Sequence, residues 1–288
     1  MSSLKSIRKR ISSVKSTQQI TKAMKMVAAA KLRRAQEAAQ QARPYADKLS
    51  ALLQMVAART GETAHPLLAE RPTERRVDLI LVTGDRGLCG GYNATLIRKA
   101  EQFLIERPGV EVRITAVGNK GNQFFRKRPI GVAEAHTQLG AGPGLALALE
   151  LSARVARDYT AESTDAVYLV YSRFRSALSQ VPTIERLLPV PQAAEGGGGT
   201  HLADYIYEPD ESTLLDRLLR QYITTLIHRA FLESIASEHG ARMTAMDNAT
   251  VNARDMIDRL TLAMNRARQA AITTELMEIV SGAEALKG

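Results

Sequence analysis

The stretch that decides the fold is LKSIRKRISSVKSTQQITKAMKMVAAAKLRRA, residues Leu4 to Ala35. It carries Lys5, Arg8, Lys9, Arg10, Lys15, Lys22, Lys25, Lys31, Arg33 and Arg34, while the first 36 residues contain no Asp or Glu. Beneath the charge runs a 3–4 spacing of Leu4, Ile7, Ile11, Val14, Gln18, Thr21, Lys25, Ala28, Leu32 and Ala35, continued by Ala39, Ala42, Ala46, Leu49, Leu53 and Val56. Thirteen of those sixteen positions are apolar, which marks the narrow seam of a coiled coil rather than the broader stripe of a globular helix. A second seam reads Met246, Ala249, Ala253, Met256, Leu260, Ala263, Ala267, Ala270, Thr274 and Met277, with one polar member. The two ends are therefore expected to pair with each other. A connecting body that returns the chain to its start favours antiparallel pairing.

Working outward, the first 60 residues hold no glycine and one proline, Pro44, which should kink the helix or restart it at its first position. About 55 helical residues at roughly 1.5 Å each would extend about 80 Å. Gly61, Pro66 and Pro72 close that helix in a loop. From Arg76 the texture changes: strands read at Val77 to Val82, Val110 to Val117, Val132 to His136 and Ala166 to Tyr171. Helices read at Asn93 to Ile105, Asn119 to Lys127 and Pro143 to Tyr159. This alternation argues for a parallel, doubly wound, Rossmann-like α/β domain. A further extended segment, Val181 to Val190, precedes four consecutive glycines that read as a loop. From Asp210 to Ser281 there is one glycine, Gly240, and no proline, so a second long helix follows. Its part from Leu214 to Ile235 is apolar more broadly and should pack on the α/β body. The resulting division is 1–60 and 210–288 as coiled-coil helices, with 74–209 as the inserted domain.

Composition narrows the function classes. Removing the ten N-terminal bases leaves 29 basic against 30 acidic residues, a balance of −1 over the rest of the chain. One basic helix on a neutral body points to a localised acidic partner rather than to nucleic acid or an anionic membrane. A basic leucine zipper is disfavoured further, because Ile7, Ile11 and Val14 put seam inside the basic region. A single cysteine, Cys89, excludes an internal disulfide and a cysteine-based metal site. The five histidines have no ligand spacing, and no apolar run approaches the 18 or so residues a membrane span needs. The acid-poor N-terminus is compositionally like a transit peptide, but the seam runs on past residue 40 and is read as mature structure.

The glycines after the first strand, Gly84, Gly87, Gly90 and Gly91, match neither G-x-G-x-x-G nor the phosphate-cradling G-x-x-x-x-G-K-[ST] pattern. They read as a tight strand-to-helix crossover. Cys89 has no histidine near it in sequence and reads as a small buried hydrophobe rather than a nucleophile. Asp85 and Arg86 are expected to form a local ion pair or to meet a partner. No catalytic, cofactor-binding or metal site is expected.

The last stretch, Ile272-Thr273-Thr274-Glu275-Leu276-Met277-Glu278-Ile279-Val280-Ser281-Gly282-Ala283-Glu284-Ala285, closely resembles the signature of the γ subunit of the F-type ATP synthase. Three further segments are similar to that family: Ile20 to Lys31, the loop Asp85-Arg86-Gly87-Leu88-Cys89-Gly90, and Tyr205-Ile206-Tyr207-Glu208-Pro209-Asp210. The flavour is bacterial, with a proteobacterial source expected, and the cysteine-bearing insertion of chloroplast relatives is missing. The resemblance implies a non-catalytic central shaft without a cofactor, one copy per complex, turning inside a hexamer of α and β subunits. Its foot would ride on the proton-driven c-subunit ring beside the ε subunit, peripheral to the cytoplasmic face of a bacterial membrane. It implies hexamer contacts for Lys22, Met24, Lys25, Lys31, Arg33, Arg34, Arg268, Gln269, Thr273, Glu275, Glu278, Ile279 and Val280. Leu276, Met277 and Leu286 would join the last two near an apolar collar, and Tyr205, Tyr207, Glu208 and Asp210 would meet the ring and ε. The rival reading is an α/β enzyme with a helical dimerisation arm.

Overall fold

The computed structural model describes residues 4–60, 65–139, 142–191 and 211–285. Two long helices bound the chain, α1 at Leu4–Thr60 and α5 at Glu211–Ala285. Helix α1 runs through Pro44 as one helix, so the restart expected there does not occur. The chain divides into two compact units: Met1–Val27 with Met243–Gly288, and Ala28–Arg242.

In the first unit the two helices pair antiparallel. Lys25 Nζ lies 2.6 Å from Asp247 Oδ1, and Thr250 Oγ1 donates to Thr21 Oγ1 at 2.8 Å, so one helix ascends as the other descends. Every N-terminal seam position here is buried or half-buried, including the polar Gln18, Thr21 and Lys25. The C-terminal seam departs from expectation. The covered stripe runs through Met246, Ala249, Thr250, Ala253, Ile257, Leu260, Met264, Ala267 and Ala271, whereas Met256, Ala263, Ala270, Thr274 and Met277 face solvent. The expected phase holds through Ala249, which is half-buried beside Thr250, and from Met256 runs one residue early at every second step. Both phases are apolar (Met256 or Ile257, Ala263 or Met264, Ala270 or Ala271), so periodicity alone does not choose between them. The Thr21–Thr250 hydrogen bond sets the register, as polar seam positions do.

The second unit is an α/β body. Strands β1 (Arg76–Val82), β2 (Glu111–Val117), β3 (Glu134–His136), β4 (Ala166–Phe174) and β5 (Gln180–Leu188) form one sheet ordered β3-β2-β1-β4-β5. The crossover helices are α2 (Tyr92–Ile105), α3 (Asn119–Phe125) and α4 (Leu145–Thr160). The first four strands are mutually parallel, but β5 runs antiparallel to β4. The extended segment expected at Val181 to Val190, for which no direction was assigned, is this antiparallel edge strand. Only 175–179 separate the two strands, enough for a hairpin and too few for a crossover helix.

Central β1 is buried at every residue but its first, because helices cover both faces. On one face α4 packs with Leu215, Leu219, Ile223, Ile227 and Phe231, one side of α5 repeating every fourth residue. This is the broad apolar stripe expected for that part of the helix. On the other face, Leu96, Ala100 and Phe103 of α2 close over Leu79, Leu81 and Val170.

Candidate interaction surfaces

Helix α1 presents its charge outward because its inward stripe is spoken for. Within the paired unit Lys22 is exposed and Met24 half-buried, while Lys25 is drawn into the ion pair with Asp247. Lys25, expected among the hexamer contacts, places its ammonium on Asp247 and so also closes the helix pair. In the α/β unit Lys31, Arg33 and Arg34 are exposed, and Arg33 Nε donates to Glu37 at 3.0 Å one turn on.

The C-terminal candidates stand out from the helix. Arg268, Gln269, Thr273, Glu275 and Glu278 are all exposed, and Thr273 returns its hydroxyl to the Gln269 carbonyl at 3.0 Å. Ile279 is 68% exposed, Met277 61%, Leu276 57% and Val280 55%. Large apolar side chains at that exposure leave more than half of their surface uncovered by the described residues. The same unit also exposes Ile20, Met26, Val27, Val251, Met256 and Leu262. Clustered exposure of this kind marks contact surface rather than stray hydrophobes. Tyr205, Tyr207, Glu208, Asp210 and Leu286 lie outside the described residues.

The glycine loop after β1 is a clasp. Asp85 does not pair with Arg86: its two carboxylate oxygens accept the backbone N–H of Asn119 at 2.9 Å and of Leu139 at 2.8 Å. Gly118, at φ +101°, lies where a Cβ would come within 2.0 Å of the Thr83 carbonyl oxygen. From α5, Arg242 donates to the Gly87 carbonyl at 3.2 Å and pairs with Glu238. Cys89 is 1% exposed, and burial pushes its thiol upward, away from a reactive thiolate. His239, whose Nδ1 lies 3.2 Å from Arg242 Nη1, is held down at about 4, first by burial and then by the Arg242 and Lys31 charges.

Three features were invisible in the sequence. The cross-strand pair Asp78–Arg113 is joined by Asp158 of α4. A groove of about 790 Å³ opens between α1, α4 and α5, with Tyr45, Leu149, Arg217 and His228 on its walls. Glu134, His136 and Glu150 bring three potential metal-ligand atoms within 4.8 Å of one another. Each joins residues far apart in the chain, so no local spacing could announce it.

A family model described as ATP synthase matches residues 3–286. The ATP synthase gamma chain of Geobacter sp. (strain M21) is 51% identical over the whole of both chains. Those of Pelotomaculum thermopropionicum and Moorella thermoacetica are each 50% identical, again over the whole of both chains. Similarity this even across different bacteria does not bear out a specifically proteobacterial source. Among solved structures, a chain from the OSCP/F1/c-ring assembly of Euglena gracilis mitochondrial ATP synthase superposes with a TM-score of 0.68 at 20% identity, covering 98% of this chain and 94% of that one. That likeness supports the fold of an antiparallel helix pair and an α/β body. With half of the residues identical from end to end, the chain belongs to the ATP synthase gamma chain family.

Proposed function

We propose that this chain is the central shaft of a proton-translocating ATP synthase, carrying torque between a c-subunit ring and a hexamer of alternating α and β subunits. The observation that carries the reading is the helix pair of the first unit. Its seam is closed on itself, yet among the described residues it leaves basic and large apolar side chains largely exposed. The shaft helices are 1–60 and 210–288, and the body is 74–209. No helix of the described residues is long and apolar enough to cross a membrane. In this reading the subunit is peripheral, held at the cytoplasmic face through its complex.

The mechanism follows from symmetry. An asymmetric rod inside a ring of three like sites shows each site a different face. It shifts the open, loose and tight populations only through contacts that differ between those states. Lys22, Met24, Arg268, Gln269, Thr273, Glu275 and Glu278 supply polar contacts, and Lys31, Arg33 and Arg34 face an acidic element of β. Ile279 and Val280, with Leu276 and Met277, run in an apolar collar. Exposed ion pairs contribute about 0.2–1 kcal/mol each and are screened by salt, so such contacts break and reform as the shaft turns. Tyr205, Tyr207, Glu208 and Asp210 belong to the foot on the ring and the ε subunit. In this reading the subunit itself performs no chemistry, and torque transmission calls for no cofactor.

The test reverses Lys22, Lys31, Arg33 and Arg34 together to Glu in the assembled complex, leaving Lys25 in place because it holds Asp247. The expected outcome is a lower proton-pumping signal per ATP hydrolysed in inverted vesicles, with all subunits still co-purifying. An unchanged ratio would refute the assignment of these side chains.

A further inference from the structure

We infer that Glu134, His136 and Glu150 form a binding site for a zinc-like divalent cation between the sheet edge and α4. This goes beyond the shaft reading and does not depend on it. Glu134 and His136 sit two apart on β3 and so share one face of the sheet, while Glu150 and Arg154 sit four apart on α4 and share one face of the helix. The crossover brings those faces together.

Arg154 sets the geometry. Its Nη1 donates to Glu134 Oε2 and its Nη2 to Thr115 Oγ1 at 2.9 Å, which pins the Glu134 carboxylate and leaves Oε1 turned towards His136. His136 Nε2 lies 3.0 Å from that oxygen, yet this buried nitrogen makes no hydrogen bond of acceptable angle. A proton on Nε2 needs near-linear approach to its acceptor. A cation lying off the Nε2–Oε1 line has no such requirement and recruits the Glu150 carboxylate as well. The three donor atoms lie within 4.8 Å of one another. Ligand bonds of about 2.0–2.2 Å around one Zn²⁺ ask only that the exposed Glu150 side chain swing inward.

The donor set chooses the metal. One imidazole nitrogen with two carboxylates suits zinc and its first-row neighbours, whereas Mg²⁺ takes oxygen ligands in near-ideal octahedra and keeps much of its water. Two carboxylates against one guanidinium leave one net negative charge to meet the ion. Three protein ligands leave a fourth position for water.

The experiment titrates the purified, chelator-stripped full chain with Zn²⁺ by calorimetry and by competition with a chromophoric chelator. The H136Q and E150Q variants are run beside it; Glu150 is exposed, so its variant leaves the fold undisturbed. The expected result is one equivalent bound by the parent, weakened about tenfold or more in each variant, a rise in melting temperature with Zn²⁺ in the parent alone, and no comparable response to Mg²⁺. No saturable binding, binding equal in parent and both variants (an adventitious ion at other histidines), or equal response to Mg²⁺ would each overturn the assignment.

Discussion

Arg113→Ala should destabilise the α/β body more than a half-exposed arginine ordinarily would. Arg113 stands opposite Asp78 in the β1–β2 register, and its Nε and Nη2 reach the two Asp78 oxygens at 2.6 and 2.7 Å. The Asp78 side chain is 2% exposed, and that of Arg113 42%. Removing the cation leaves a buried carboxylate with its partner gone, a defect that costs about 3–5 kcal/mol when both groups are fully enclosed. Water reaching the guanidinium weakens the pairing it supplies, so about 2–3 kcal/mol is the working figure here. At about 2–4 °C per kcal/mol for a chain of this size class, the melting temperature should fall by about 4–12 °C. Calorimetry of the purified chain reads this directly. Asp78→Ala combined with Arg113→Ala should recover part of the loss, because the buried Asp78 charge is then removed with its partner, while Asp158 keeps Arg157 at 3.6 Å. A melting point within about 1 °C of the parent for R113A, or a double variant melting below it, would refute the reasoning.

Two further outcomes follow from the geometry. Ile257→Ala should lower the stability of the helix pair by about 1–2 kcal/mol, whereas Met256→Ala, at a residue 49% exposed, should change it by less than about 0.5 kcal/mol; the reverse order, read by denaturant unfolding, would restore the rejected phase. His239 binds its proton at about 4 when folded and at about 6.5 when unfolded, so the unfolded chain takes up the proton first as pH falls. Stability should therefore decline from about pH 6.5 down to about 4, and H239Q should flatten that decline; identical pH profiles for parent and variant would show that His239 does not titrate this way.

The sequence was legible wherever one periodicity had one solution. The α1 seam reads correctly from Leu4 to Leu53 because the alternatives to Ile7, Ile11, Leu32 and Leu49 are charged or small. Strands β1, β2 and β4 are predominantly apolar, β-rich runs bounded by turn residues, and each was found to within a residue or so at its start. The α5 phase was lost where adjacent apolar residues offered two equal seams and a threonine pair, not an apolar match, chose between them. The direction of β5 lay in the length of its connection rather than in its residues. Of the candidate surfaces, exposure is visible for Lys22, Arg268 and Ile279, but the diversion of Lys25 to Asp247 needed the partner helix. Asp85 was misread for the same reason: its acceptors bind backbone N–H groups of Asn119 and Leu139, which carry no sequence signature.

The helix pair is economical in a way that suits a turning part. Its covered stripe mixes large apolar residues (Leu4, Ile7, Ile11, Val14, Met246, Ile257, Leu260 and Met264) with alanines and the polar Gln18, Thr21, Lys25 and Thr250, while Ile20, Met26, Val27, Met256 and Leu262 point away from it. At about 25 cal/mol per Å², a seam chosen to maximise its own burial would have taken those larger side chains inside. Placing them outside lowers the pair's own stability and raises its solubility cost, and that arrangement persists only if another surface covers them. A surface gripping them with fixed, deeply buried partners would hold the pair in one orientation. Shallow apolar contacts and screened exposed charges do neither, since each is worth only a fraction of a kcal/mol to about 1 kcal/mol and is replaced by a similar one after a rotation. Rigidity then has to come from the register locks inside the seam, Thr21–Thr250 and Lys25–Asp247, which is why these polar groups occupy positions that hydrophobes would fill in a simple coiled coil.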